Sequence, residues 1–387
     1  MKKRKKPFAL PAIRVPRAVV VIICALPAAL TALFYILYKN KNVMDWVAQH
    51  ISSPIRGFFG MVSSIYPFSV MEILCTVAVI WLLYYIIKTI VMLVRMKGKL
   101  RILLRRVLTV AVLALYVWST FCWLWNSGYY ATRFAAKNGF KKNGITATEL
   151  ADVTRRFADK ANELSKRVKR DDGGHYIVER SEYFDASKDI YKNIAAQYPS
   201  LGGKTYVPKP MMHSWLMSLT GYSGVYFALT GESNVNKNTP GCLLPSTVAH
   251  ELAHQHGVFA EDEANFVAIA TCATSGNVIY EYSGYLMGLM HLLSALSSAD
   301  YDAYLAICGI LSPEVVTDWQ DNNEYWEAQK TVHTGIAFID KILTALTGAV
   351  RETTNTVYDS YLKTHNQELG LKSYGACVDL LVEYFLD

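Results

Sequence analysis

Ser246-Thr247-Val248-Ala249-His250-Glu251-Leu252-Ala253-His254-Gln255-His256-Gly257 holds one His-Glu-x-x-His pentad, and its reading decides the fold of everything around it. On a helix, His250 and His254 lie one turn apart on the same face, so two imidazoles can grip one metal ion. Glu251 comes next round that face, where a carboxylate can polarise a metal-bound water without ligating the ion. The flanking Val248, Ala249, Leu252 and Ala253 are small or apolar, as a helix buried beneath a cleft requires. A solvated helix would carry charge at those positions. The stretch therefore predicts a buried helix and a Zn²⁺ site.

Gly257 follows and can take the positive φ that ends a helix. Val258 to Ala268 then reads as a short turn and a second helix whose first turn holds Glu261, Asp262 and Glu263, which suits the helix dipole. A catalytic zinc takes three protein ligands and keeps one position open. Glu261 is the expected third ligand, with Glu263 as the alternative. Asn265, one turn beyond Glu261, is placed to support a ligand side chain.

Charge divides the chain. Residues 1–126 hold 17 Lys/Arg against 2 Asp/Glu, whereas residues 127–387 hold 22 against 30. The overall charge of +7 thus conceals an acidic globular part, which excludes nucleic acid as a partner. The basic N-terminal part is interrupted by apolar runs at about residues 18–38, 70–96 and 107–125, each near the length a bilayer demands. Lys/Arg clusters precede the first run and separate the second from the third. By the positive-inside rule these mark the cytoplasmic side, so the C-terminal domain, residues 127–387, is expected outside the cytoplasm. Lys39 to Pro67 reads equally as an amphipathic interfacial piece or a loose apolar loop.

HELAH followed by EDEAN resembles the gluzincin branch of the zincin metallopeptidases. That resemblance implies His250, His254 and Glu261 as zinc ligands and Glu251 as general base. The interval from His254 to Glu261 is shorter than in thermolysin-like enzymes and near the HExxHxxG spacing of metzincins, although Ala260 stands where a metzincin ligand would be. The whole chain also resembles a family of multi-span bacterial membrane proteins of unassigned function. These share Pro-Phe-Ser-x-x-Glu (Pro67 to Glu72), Thr-Gly-Glu-x-Asn-Val-Asn (Thr230 to Asn236) and the HExxH.

The zincin resemblance implies an edge strand above the metal helix that pairs with an extended substrate. Val225 to Leu229 fits it, making Tyr226, Phe227, Glu232 and Asn234 candidate substrate contacts. Zincins also present a Tyr or His to the developing oxyanion. Tyr282, Tyr285, His291 and His365 are all candidates here, and nothing in the sequence ranks them. Asp359 to Lys363 reads as an ordinary helix face.

Thr146 and Glu149 form a capping box ahead of a helix to about Arg170. Further helices are expected over 185–197, 211–219, 301–311, 331–346 and 375–386. Cys24, Cys75 and Cys122 fall in the apolar runs, and Cys242, Cys272, Cys308 and Cys377 lie in the C-terminal part. With no CxxC spacing, a cysteine zinc site is excluded. The expected architecture is mainly α (α+β): three N-terminal transmembrane helices, then a zincin-like, mostly helical domain with a small sheet. The expected function is a membrane-anchored zinc metallopeptidase of the bacterial cell envelope acting on peptides or proteins. A non-catalytic scaffold binding peptide or cell-wall fragments is the alternative. An intramembrane protease does not fit, because the HExxH lies in the acidic part after the polar stretch Glu232 to Pro240.

Overall fold

A computed structural model describes residues 16–141, 144–332, 336–367 and 377–386. Most of the basic tail, residues 333–335 of the helix expected over 331–346 and the start of the expected last helix lie outside them. Three helices are long and apolar enough to cross a membrane: Ala18–Leu37, Val70–Arg95 and Lys99–Tyr130. They lie within α1 (Arg17–Leu37), α4 (Val70–Arg95) and α5 (Lys99–Phe121) with its continuation. The third begins eight residues before the expected Val107. Gly98 turns the chain at φ 77°, and Lys99, Arg101, Arg105 and Arg106 form the first turns of the same helix, since long basic stems can lie along an apolar helix.

The connection between the first two spans is folded. It comprises α2 (Lys41–Val47), a π-helical turn (Ala48–Ser52) and α3 (Ser53–Ser63). One face buries Met44, Val47, Ser52, Arg56 and Ser63, while Trp46, Phe58, Phe59 and Met61 are exposed on the other. A second π-helical turn, Cys122–Asn126, ends the third span, and Ser52 Oγ donates to Trp123 O across the two turns. Such turns displace a helix face by one residue.

Short helices α6 (Ser127–Tyr130) and α7 (Phe134–Lys137) lead into α8 (Ala147–Ser165), which starts at the capping box of Thr146 and Glu149 as its sequence requires. The helix expected over 185–197 is two pieces, α9 (Arg180–Ala186) and α10 (Tyr191–Gln197). The main core packs α14 (Val278–Ala299) against α8, α12 (Leu244–Gln255) and α13 (Glu261–Thr274), through Phe157, Leu252, Ile269 and Leu289 among others. Helices α15 (Tyr301–Cys308), α16 (Pro313–Ala328), α17 (Ala337–Thr364) and α18 (Val378–Phe385) complete the shell, with α11 (Ser214–Thr220) beside α17. All seven cysteines are free thiols.

The sheet is small: β1 (Lys209–Pro210) runs parallel to β3 (Glu232–Val235), and β2 (Gly224–Phe227) pairs antiparallel on its other side. β2 is therefore an edge. The Pro67 to Glu72 and Thr230 to Asn236 stretches meet in space. Glu232 accepts from the Val70 and Met71 backbone N–H groups at 3.0 and 2.9 Å, closing the N-terminus of the second span, and pairs with Lys209 at 2.6 Å. Glu72, in turn, accepts from the Met212 N–H at 2.8 Å and from His213, holding α11. Two carboxylates thus cap two helix starts and tie the second long apolar helix to the central strand.

Candidate metal centre

α12 starts with Pro245 in its first turn, where a missing N–H costs nothing, and ends where Gly257 turns at φ 89°. Val248, Ala249, Leu252 and Ala253 are wholly buried, so only one face is left for chemistry. On it, the His250 and His254 rings stand 4.7 Å apart and nearly perpendicular. The turn after Gly257 brings the start of α13 back, and Glu261 Oε2 lies 3.3 Å from His250 Nε2 and 3.5 Å from His254 Nε2. One ligand atom from each of these three residues falls within 4.8 Å of the others.

The donor chemistry fits a cation. His254 Nδ1 lies 2.7 Å from the Val258 carbonyl, so that nitrogen carries the proton and donates, and Nε2 presents a lone pair to the cluster. Glu261 Oε2 is buried and accepts no hydrogen bond of sound geometry despite its two imidazole neighbours. A lone pair facing a carboxylate oxygen is unfavourable unless a positive charge lies between them. Burial works to raise the Glu261 carboxyl, yet positive charge between or on the His254 and His250 rings, which protonation of the imidazoles supplies, holds it well below the usual range.

Support comes from three places that sequence reading passed over. Tyr358 of α17 donates its hydroxyl to Glu261 Oε1 at 2.9 Å. The helix face around Asp359, read as ordinary, is thus next to the cluster, and Asn355 from the same helix lines the cleft. Arg56 of α3 donates to the His254 carbonyl at 3.1 Å, its guanidinium resting over Phe259. Trp125, at the end of the third span, meets the His254 ring edge-on at 5.4 Å. No local pattern announces these partners, since each reaches the site across a long sequence separation.

Glu263 is placed elsewhere. Its carboxylate accepts from the Phe134 and Ala135 N–H groups at 2.9 Å each, capping α7. Asp262 pairs with Arg133 at 3.2 Å. Of the three acids in this turn, one faces the imidazoles and two fasten neighbouring structure. Asn265 lines the cleft, and Tyr358 donates to the Glu261 carboxylate.

Glu251 sits at the junction of the cluster and a cleft of about 510 Å³. Burial pushes its carboxyl up to about 8; the charge of His250 works against the shift and Glu261 adds to it. Its Oε2 is buried without a hydrogen-bond partner. Edge strand β2 passes so close that a Cβ on Gly224 would collide with the Glu251 carboxylate. The cleft is lined further by Tyr222, Leu243, Met287, His291, Asn322 and Trp326.

The remaining expected contacts need correction. Tyr226 is turned from the cleft, its ring packed on Trp125 and beneath Arg56, and Phe227 does not line the cleft either; Tyr222 to Gly224 do. Consecutive residues from Tyr222 to Gly224 line it, so what decides the contact is where along β2 the strand lies over α12, which no local pattern fixes. Glu232 and Asn234 are buried in the central strand, with Glu232 committed to Lys209 and the second span. Tyr282 donates to Asp318, which Arg170 also grips, and Tyr285 packs on Phe157. His365 lies against Tyr361 and Trp118. Of the four oxyanion candidates, His291 is the one in the cleft, kept neutral by burial and by the nearby charge of His250, with its pKa lowered to about 4.

The family described as "Protein of unknown function (DUF3810)" matches residues 48–382. No curated protein and no solved structure matches the chain. The chain belongs to the DUF3810 family.

Proposed function

Taking that family membership as the premise, we propose that this protein is a membrane-anchored zinc metallopeptidase. The observation that carries the reading is the convergence of His250 Nε2, His254 Nε2 and Glu261 Oε2 beside Glu251 at the floor of a cleft. Two imidazoles and one carboxylate form a donor set that suits zinc. When bound, such an ion supplies Lewis acidity and brings the pKa of a water toward neutrality. Glu251 accepts a proton from the attacking water, a task suited to a carboxyl raised toward 8, and hands it to the leaving amine. His254 stays fixed by Val258, and Tyr358 holds the far oxygen of Glu261. The free edge of β2 is available to pair with an extended peptide running past Gly224.

The charge pattern supports an extracytoplasmic domain. Lys97 in the tight turn, and Lys99 and Arg101 in the first turn of α5, lie at the end of the apolar helices remote from the globular part. Purified full-length protein should contain zinc and cleave members of an unbiased peptide library. Glu251→Gln should keep the metal and lose cleavage. An unchanged rate in that variant, or equal metal content after His250→Ala, would overturn the reading.

A further inference from the structure

α17 is 28 residues long, about 42 Å, and carries an apolar face that nothing among the described residues covers. Phe338, Ile342, Leu346, Val350 and Val357 are 74, 50, 58, 46 and 64 % exposed. At about 100° per residue they fall within an arc of about 120°. Asp340 and Arg351 fall on the opposite side, and Lys341, Glu352, Asp359 and Lys363 flank the arc along one edge. The arc carries no charge along the whole helix and is apolar over 338–350, with Thr353, Thr356 and Ser360 entering it only further on, a pattern that suits a helix at an apolar boundary.

Its attachments say which boundary. Near its C-terminus, Tyr361 rests on Phe121 of the third span and donates to Asn126, and Tyr130 donates to the Thr364 carbonyl. In its middle, Arg351 donates to the Leu219 and Ser218 carbonyls at 2.8 and 3.0 Å, at the end of α11. The start of α11 is held by Glu72, in the first turn of the second span, and α11 itself is only about 10 Å long. α17 is therefore slung between the ends of two membrane helices instead of projecting away from them. Tyr361, which touches the third span, borders the apolar arc, so the arc continues the lipid-facing surface of that span, where Val117 is 58 % exposed. Trp215 and Leu216 of α11, with Met212 just before it, add exposed apolar surface beside it. An apolar groove of about 650 Å³ runs along Val350, Val357 and Tyr361 to Tyr222, which also lines the cleft.

We propose that α17, with α11, lies in the leaflet nearest the globular part, its apolar arc seated among acyl chains. The cleft then opens at the bilayer surface, and what reaches it comes along the lipid. This is independent of peptide hydrolysis: Tyr358 and Asn355 come from the same helix, so lipid contact bears on the cluster whatever its chemistry.

The test uses the full chain in phospholipid nanodiscs. Single cysteines at Leu346 and Val350, with Glu352→Cys as the polar-face control, carry an environment-sensitive fluorophore, and the unsubstituted protein is the blank for the native thiols. Leu346→Cys and Val350→Cys should show blue-shifted emission, strong quenching by nitroxide-labelled acyl chains and several-fold weaker quenching by iodide than Glu352→Cys. Equal iodide access at all three positions would overturn the proposal. So would efficient disulfide cross-linking of Leu346→Cys between two copies without quenching by labelled lipid, which would make the arc a dimer interface. An acyl-chain photoprobe, mapped on the unsubstituted protein, guards against a disturbed variant. It should modify residues 338–357 as well as the spans; adducts confined to the spans would also overturn the proposal.

Discussion

The helix pair α12–α13 and the membrane-side segment from Lys41 to Glu72 are built on opposite terms. In the pair, everything that matters lies within 12 residues, His250 to Glu261, and the chemistry is written in residue type and spacing. In the segment, Arg56 and Glu72 are single charges in apolar surroundings, and their meaning comes entirely from partners far along the chain. The first holds the cluster; the second fixes where it sits. The difference teaches that a local motif can be complete in sequence while the frame that positions it is assembled from non-local contacts.

Legibility follows the same division. The spans were readable because lipid imposes a composition on a helix, and α12 was readable because burial imposes one on its flanks. The mainly α architecture with a small sheet also followed from periodicity. What was not readable was direction. Glu261 and Glu263 are two residues apart in one helical turn, and which faces the imidazoles depends on how α13 docks. The same holds for β2, where Gly224 and not the side chain of Tyr226, two residues further on, lies against Glu251 because of where along the strand α12 meets it. A boundary at residue 126 divides the chain by composition, yet Arg56, Glu72 and Trp125 bind across it.

The largest test of the contrast is to cut at that boundary. Residues 127–387 alone lose Arg56 from His254, the Ser63 carbonyl from Lys209, and the helix start that Glu232 caps. Native stabilities are only about 5–15 kcal/mol, and several buried charges would be stranded together. The truncated chain should melt without cooperativity in thermal circular dichroism, while the full chain in detergent melts cooperatively. A well-folded fragment would show that the membrane side merely decorates a self-sufficient domain.

A narrower break is Glu232→Ala. It leaves Lys209 buried without its carboxylate and uncaps the second span, so a loss of about 3–5 kcal/mol is expected in denaturant titration. Metal content per folded molecule should be unchanged, because Glu232 does not reach the cluster. A variant that folds normally but loses metal would return Glu232 to the site. Next comes Tyr358→Phe, which removes one hydroxyl donor from Glu261 Oε1 without altering the core. Zinc affinity, measured by competition with a chelator, should fall by about tenfold, as is usual for such outer partners, while thermal stability moves little. If affinity is untouched, α17 is only a wall.

The smallest effect concerns the clasp between α2 and the chain following the third span. Asp45 accepts from the Thr132 N–H and hydroxyl, both at 2.6 Å. Burial tends to raise its carboxyl, but the Thr132 hydroxyl and N–H, with Lys137 and Lys41, hold it below the ordinary value. A carboxyl depressed in the folded state contributes stability that is fully present above the unfolded pKa, about 3.9. That contribution is lost as pH falls through the lower, folded pKa. At neutral pH, Asp45→Asn should therefore be slightly less stable than the parent, by under about 1 kcal/mol for a partly exposed group. The two melting curves should converge as the pH is taken below about 4, since the parent loses in acid what the variant never had. A gap that stays constant with pH would mean that Asp45 acts by shape alone, and that the membrane side is held on by packing with no electrostatic share.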